Sequence, residues 1–219
     1  MESNHIIINV GRQLGSGGHD IGRMLALDFQ AKYYDRELLN LAAKESGLSQ
    51  QFFEQHDEHK SFLRSFLHLP NGMSAGYAKQ GFSQDSLFQF QSEAILKAAD
   101  EGSCVFVGRC ADYVLRDRDD VVNVFITASM DFRIEQIMAK QRFDDPRQAK
   151  RFIEQGEAKR ADYYNYYTGR KWGHSSNYDL CIDSSVLGLM ETEKLIAEFV
   201  RKRIEIKERL KSEKDRNTK

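Results

Sequence analysis

The chain has 219 residues, of which 41% are hydrophobic and 30% are charged, proportions that are ordinary for a globular protein. This length supports one well-buried core and leaves little room for a second domain of full size. Because the formal net charge is −1, no overall basic field indicates a nucleic-acid partner or an anionic membrane surface.

Cysteine usage and the lengths of the apolar runs indicate a cytoplasmic protein. Cys104, Cys110 and Cys181 form no CxxC pair and have no framework spacing, which argues against a disulfide scaffold and a zinc site. The segment MESNHIIINV has no basic region or cleavage site, and no stretch approaches the ~18 apolar residues of a membrane span. We therefore expect a reducing compartment, no membrane contact and no metal held by the protein.

Short β-rich runs alternate along the chain with longer helical patterns. The runs IIINV, CVFV and VVNVFI are apolar with little alternation, which is typical of strands covered on both faces. Such an order predicts βαβ units and an α/β fold with a parallel sheet between layers of helices. Predicted strands cover residues 5–10, 32–34, 104–107, 121–127 and 180–182, and predicted helices cover residues 21–29, 36–45, 84–99, 130–141 and about 191 to the end.

Two regions break this alternation. Residues 50–82 mix aromatic residues with His, Lys and Gly and suggest an inserted helical flap, and residues 143–173 are dense in Arg, Lys and Tyr and suggest a second one. With two prolines in the whole chain, no linker separates either flap from the core, so we predict a single domain over residues 1–206. The mostly charged segment 207–219 is expected to fray into solvent.

A glycine-rich turn follows the first predicted strand. In IIINVGRQLGSGGHDIG, Gly15, Gly17 and Gly18 can take positive φ, which lets several backbone N–H groups converge on one anion. The next helix, opening near Asp20, directs its positive end to the same place. The alternative is a tight strand–helix turn that holds nothing, but the position at the first strand of a parallel sheet favours a phosphate.

This glycine loop, residues 15–18, departs from the standard phosphate-binding pattern GxxxxGK[ST]. Gly18 stands at the lysine position, His19 stands where a magnesium-binding hydroxyl would follow, and Asp20 comes next. Positive charge must then come from Arg12, from His19 or from a flap residue.

Other arginines follow the predicted strands. Arg109 comes directly after the apolar run CVFVG, at the sheet edge where ligands bind, and suits the stabilisation of a transferring phosphoryl group. A structural ion pair is the alternative there, and Arg133 fits a solvated helix face equally well. Within residues 143–173, Arg160 first and Lys159 second are the candidates for a flap that closes on phosphates.

Six segments taken together resemble the cytidylate kinase-like family. Their order along the chain is that of the family, and residues 50–82 and the tail lie outside the resemblance. It implies a three-layer α/β/α fold of the P-loop NTPase type, with a parallel sheet of about five strands, an NMP-binding insertion and a lid at residues 143–173. The segments are GSGGHDIG at 15–22, YYDRELL at 33–39, FVGRCADYVL at 106–115, VFITASMDFRI at 124–134, KRADYYNYYTGRKWG at 159–173 and YDLCIDSSVLG at 178–188.

The resemblance also implies a reaction and a set of site residues. The reaction is transfer of the γ-phosphate of ATP, with Mg²⁺, to a nucleoside monophosphate, CMP or dCMP first, or to a related small acceptor, by a monomer or homodimer. The catalytic cations would be Arg12, Arg109 and Arg160, and the acceptor would meet Asp35, Arg36, Gln91, Gly108 and Arg109. The ATP phosphates and base would meet Gly15, Ser16, Gly17, Gly18, His19, Asp20, Arg133, Lys159 and Asp183.

Several positions depart from the family pattern. Cys110 replaces the Asp of a GRD motif, Ser92 stands where an Arg would follow Gln91, and Ala158 stands where the lid has its first Arg. Each change removes a contact with nucleotide. The alternative hypothesis is therefore a nucleotide-binding protein with a degenerate loop and little or no kinase activity. Asp35 also fits a simple helix N-cap.

Overall fold

The computed structural model describes residues 5–39 and 84–217. The predicted insertion at 50–82, and the predicted helix at 36–45 beyond residue 39, lie outside the described residues. The predicted α/β fold with a five-stranded parallel sheet is confirmed. The strands are β1 (Ile7–Arg12), β2 (Lys32–Tyr34), β3 (Cys104–Val107), β4 (Val121–Thr127) and β5 (Leu180–Asp183), in the spatial order β2-β3-β1-β4-β5.

Helices connect these strands, and two of them begin earlier than predicted. The first begins at Gly18 because Gly17, at φ 75°, turns the chain out of the loop. The last begins at Ser184, and the kink at Gly188 (φ 75°, ψ 169°) interrupts its periodicity. The described helices are α1 (Gly18–Asp28), α2 (Gln84–Glu101), α3 (Ala111–Val114), α4 (Met130–Gln141), α5 (Pro146–Thr168) and α6 (Ser184–Asn217).

The core lies on both faces of the sheet. On one face, alternate residues of β1, β3 and β4 pack against α1 and α6, with Ile21 and Ile196 fully buried. On the other face, Ile7 and Phe106 pack against α2 and α3 with no exposure, and Ile95 of α2 is fully buried in the same cluster. Burial on both sides explains why the strand sequences show continuous apolar runs.

The strand order creates a crevice at the carboxyl end of the sheet. β1 pairs with β3 on one side and with β4 on the other. The chain leaves β1 toward β2 but leaves β4 toward β5, so the loops after these two neighbouring strands diverge. Ligands of open parallel sheets bind at such a point.

The segment predicted as a lid contains α5. Asp145 caps this helix by accepting a hydrogen bond from the Arg147 N–H at 2.9 Å, and Pro146 occupies its first turn. Its first half packs against α4 through Ala149 and Ile153, which are fully buried. Further along, Tyr167 stacks on Phe88 of α2 with ring centroids 4.1 Å apart.

The charged C-terminal segment continues α6 as far as Asn217. Lys207 ties it to the body of the protein by donating to the Asp119 carbonyl at 3.0 Å. Fraying of this end in solution stays a prediction. Within residues 5–39 and 84–217, no helix is both long and apolar enough to span a bilayer.

Candidate active site

The glycine loop is anchored to β4 and α6. The Gln13 N–H donates to the Ile126 carbonyl at 2.9 Å, and the Gln13 Oε1 accepts from the Ala128 N–H at 3.1 Å. The Ser184 hydroxyl donates to the carbonyl of Ser16 at 2.8 Å. These bonds hold the loop in one shape before any ligand arrives.

The backbone amides of the loop are free to bind an anion. Gly15 and Gly17 have φ of 87° and 75°, and α1 begins without a side-chain cap. Among the described residues, none accepts a hydrogen bond from the N–H groups of Gly17, Gly18 or His19. Unpaired donors at the start of a helix form a ready site for phosphate.

Arg12 lies across the space between the loop and the end of β3. A Cβ on Gly18 would lie 2.6 Å from the Arg12 Cβ, and a Cβ on Gly108 would lie 2.0 Å from its Nη1. Glycine at both positions therefore leaves room for this arginine. Its Nε is buried and has no partner among the described residues. Arg12, at the end of β1, therefore places its guanidinium beside the loop.

Two further guanidinium groups join Arg12. The Arg160 Nη1 donates to the Arg12 carbonyl at 3.1 Å, and Arg109 lies over the Tyr163 ring at 5.3 Å. Burial, with the charges of Arg160 and Arg109, lowers the pKa of Arg12 to about 9. Burial also lowers the pKa of Arg160 to about 10. No carboxylate of the described residues lies within 4.0 Å of these three groups, so an anion would stabilise their charged forms.

His19 is neutral and orients Arg12. Its Nε2 lies 3.2 Å from the Arg12 Nη2, which can only donate, so this nitrogen is the acceptor. The Nδ1, which then carries the proton, lies 3.1 Å from the Tyr33 hydroxyl oxygen. Burial and then the charge of Arg12 lower the pKa of His19 to about 4. Of the two side chains that the sequence left open beside the loop, Arg12 is therefore charged and His19 is neutral.

We expect the His19 imidazole to remain neutral between pH 5 and 8. Its folded-state pKa of about 4 lies below the ordinary 6.5, so the unfolded chain takes up a proton first as the pH falls. The stability linked to His19 is therefore complete above pH 6.5 and is lost as the pH falls from 6.5 through 4. Imidazole ¹⁵N shifts, assigned with a His19→Gln variant, measure the titration; a midpoint near 6.5 would contradict this structure.

The predicted acceptor residues surround the ends of β2 and β3. Asp35 caps the helical residues 36–39, since its Oδ1 accepts from the N–H of Glu37 at 3.0 Å. Its Oδ2 lies 4.0 Å from the His19 Nδ1, toward the arginines. The buried Gln91 accepts from the Tyr163 hydroxyl at 3.3 Å. Burial of part of the Arg36 side chain, together with the charge of Arg109, lowers the pKa of Arg36. Gln91 and Arg36 therefore lie near Arg109, whereas Asp35 lies beside His19, directly after the glycine loop.

Arg133 contacts the loop through its backbone and not its charge. Its guanidinium is buried and pairs with Glu157 of α5. The same carboxylate oxygen accepts from the Leu14 N–H at 3.2 Å, and the Arg133 carbonyl would lie 2.8 Å from a Cβ on Gly15. Glu157 thus connects α4, α5 and the loop, a role that the sequence did not indicate.

Three other predicted phosphate residues have separate surroundings. Asp20 pairs with Lys140 at 2.6 Å, which offsets its negative charge at the start of α1. Lys159 is exposed. Asp183 accepts from the Ser185 N–H at 2.9 Å, so it caps α6. Asp20 and Asp183 are thus both engaged with neighbouring residues.

We expect alanine at Gly108 to weaken phosphate binding, while alanine at Gly169 does not. Both glycines have positive φ, 80° and 66°, so each substitution costs roughly 1–2 kcal/mol of backbone strain. A Cβ on Gly169 meets nothing within 4 Å, whereas a Cβ on Gly108 displaces Arg12. Thermal unfolding and calorimetric titration with ATP separate the two effects. Equal affinities of Gly108→Ala and Gly169→Ala would contradict the placement of Arg12.

Metal-ligating side chains are sparse at this site. Within the described ranges, no three His, Cys, Asp or Glu residues converge as a metal site requires. The Ser16 hydroxyl donates to the Gln13 carbonyl at 3.0 Å, so it is already engaged. Mg²⁺ binds substrate phosphates and keeps several waters in many kinases, and here it would enter as part of MgATP.

Comparisons with known proteins agree with this architecture. A family model described as the cytidylate kinase-like family matches residues 7–186. An uncharacterized protein from Eubacterium ventriosum ATCC 27560 has a TM-score of 0.69 and 25% identity, over 90% of this chain and 98% of that one. No curated protein sequence matches the chain.

The solved structures of two kinases share the fold of this chain. A shikimate kinase from Bacteroides thetaiotaomicron has a TM-score of 0.50 and 11% identity, over 90% of this chain and 98% of that one. A gluconokinase from Sinorhizobium meliloti 1021 has a TM-score of 0.50 and 12% identity, over 96% and 98%. Since the family match extends over residues 7–186, the chain belongs to the cytidylate kinase-like family.

Proposed function

We propose that this protein is an ATP-dependent phosphotransferase of the nucleotide kinase type. The observation that carries the proposal is the group of three guanidiniums, Arg12, Arg109 and Arg160, beside unpaired loop amides and with no salt bridge from any of the three to a carboxylate of the described residues. In the free protein the charges of Asp35 and Glu157 offset only part of the burial that disfavours the charged guanidiniums of Arg12 and Arg160. They are suited to a ligand that carries several negative charges.

In this proposal, one set of residues binds the phosphate donor, ATP, and another set binds the phosphate acceptor. The amides of Gly17, Gly18 and His19 would hold an ATP phosphate, and Arg12 would extend over the group that is transferred. Phosphoryl transfer needs positioning and positive charge more than covalent help from the protein. Arg160, on the lid helix, would add charge from the opposite side and exclude water.

The acceptor is a nucleoside monophosphate in this proposal, with CMP or dCMP as the first candidates. Arg109 and Arg36 would meet its phosphate, since they follow β3 and β2, which neighbour each other on one side of β1. Asp35 and Gln91 offer polar groups at the same end of the sheet, and their side chains would contact the sugar or base. Small anionic alcohols are the alternative acceptors.

A transfer assay with a matched pair of variants tests this proposal. Purified protein, MgATP and a panel of CMP, dCMP, UMP and hydroxy acids are assayed for ADP release above the rate without acceptor. Arg160→Gln should lose at least about 100-fold in kcat/KM, the scale of one oriented charge at a transition state. Arg147→Gln should retain activity, because that arginine lies on the same helix but its side chain is 88% exposed. If no acceptor raises ADP release, the kinase proposal fails.

A nucleotide-binding protein without transferase activity is the second candidate. It is favoured by the Ser16 hydroxyl, which is bound to the Gln13 carbonyl, and by His19 at the position of the usual magnesium-binding hydroxyl. Calorimetric titration separates the two candidates. Tight binding of ATP or CMP with no turnover supports this one, and clear turnover excludes it.

A further inference from the structure

A buried hydrogen bond joins the two elements that carry Arg109 and Arg160. The Tyr164 hydroxyl of α5 donates to the Asp112 Oδ2 at 2.7 Å. Asp112 is 9% exposed and Tyr164 is 5% exposed. Burial raises the pKa of Asp112, and the bond from Tyr164 and the nearby charge of Arg170 oppose that rise. This pair lies outside the set of residues that the proposed reaction uses.

Asp112 and Tyr164 each lie close in sequence to one of these two arginines. Asp112 follows Arg109 by three residues in the turn after β3, and Tyr164 follows Arg160 by four residues in α5. Residues four apart in a helix share one face, so Tyr164 and Arg160 face the same part of the molecule. The hydrogen bond therefore connects the β3 turn to α5 beside the arginine site.

The turn that carries Arg109 needs such a support. Gly108, Arg109 and Cys110 have φ of 80°, 61° and 57° in succession, and left-handed backbone is unfavourable for the two non-glycine residues. Cys110 stands where the related GRD motif has its Asp, and a carboxylate is present two residues later at Asp112. That carboxylate points to α5 rather than to the arginines.

The arginines themselves repel one another. The charge of Arg109 lowers the pKa of Arg160 and of Arg12. Before an anion binds, these elements would separate if nothing held them. Resting on the proposed function, we propose that Asp112 and Tyr164 are positioning residues that hold Arg109 and Arg160 together as one preformed phosphate site.

Removal of the hydroxyl tests this role. We expect Tyr164→Phe to weaken binding of inorganic tripolyphosphate about tenfold, the scale of one hydrogen bond to a charged group. The titration is made calorimetrically well below the melting temperature, with folding verified by circular dichroism. Tyr166→Phe is the matched control, because this tyrosine lies on the same helix, is 73% exposed and makes no hydrogen bond to another described residue.

A second variant separates positioning from stability. Asp112→Asn keeps a carbonyl acceptor for Tyr164, so its affinity should stay within about threefold of the unaltered protein. Asp112→Ala removes the acceptor and should match Tyr164→Phe. If Tyr164→Phe melts at a lower temperature but binds tripolyphosphate as Tyr166→Phe does, the pair is structural and this inference is overturned. If the unaltered protein binds no tripolyphosphate, the proposed function fails first and the positioning role fails with it.

Discussion

Replacement of Arg12 with methionine is expected to lower kcat/KM for phosphoryl transfer by about 10³-fold, the lower range for an arginine that stabilises a transferring phosphoryl group. The side chain lies between Gly18 and Gly108, and its Nε has no partner among the described residues. Steady-state kinetics and calorimetric ATP titration measure the loss. Arg12→Lys should recover part of the activity, because a lysine keeps the charge but lacks the planar fork.

The same substitution should leave the protein at least as stable. Burial and two neighbouring arginines depress the pKa of Arg12 to about 9. The charged guanidinium is therefore less favourable in the folded protein than in the unfolded chain. A melting temperature of Arg12→Met several degrees below that of the unaltered protein would show that Arg12 supports the fold instead.

Replacement of Glu157 with leucine should destabilise the protein by about 3–5 kcal/mol. Arg133 would keep a guanidinium in the core, with a side chain 5% exposed and no carboxylate beside it. The Leu14 N–H would also lose its acceptor. For a chain of this size the melting temperature should fall by roughly 6–20 °C.

A neighbouring glutamate provides the control for Glu157. Glu154 lies on the same helix, its side chain is 54% exposed, and its distance to Lys150 is 3.9 Å. Exposed pairs of this kind contribute little, so Glu154→Leu should change stability by less than about 1 kcal/mol. The stability of Glu157→Gln should lie between those of Glu154→Leu and Glu157→Leu, because glutamine keeps an oxygen for the Leu14 N–H but not the charge. Equal melting temperatures of Glu154→Leu and Glu157→Leu would contradict the central role of the Arg133–Glu157 pair.

The sheet could be predicted from sequence because its strands are apolar on both faces. The exact bounds of the strands and helices were harder to predict. β1 extends to Arg12, since Gly11 and Arg12 pair with Phe125 and Ile126 of β4, and neither residue favours a strand by itself. α3, with four residues, is too short for a helical period to show. The start of α6 was hidden by the break at Gly188.

The site was predictable where a local pattern encodes it. Three glycines after a strand indicate an anion loop from residues that are neighbours in sequence. The contacts that complete the site are not local: Leu14 binds Glu157, 143 residues away, and Asp112 binds Tyr164, 52 residues away. No pattern in one sequence pairs a buried carboxylate with its distant donor. The neutral state of His19 likewise depends on its contact with Arg12, which no sequence pattern indicates.

The central position of β1 has a consequence for how the protein is made. Both partners of this strand in the sheet begin about a hundred residues later in the chain, at Cys104 and Val121, and are therefore translated after it. The Ser184 hydroxyl that fixes the Ser16 carbonyl is translated later still. A nascent chain that has not yet reached residue 184 carries the complete glycine motif but lacks one of the contacts that hold it in shape.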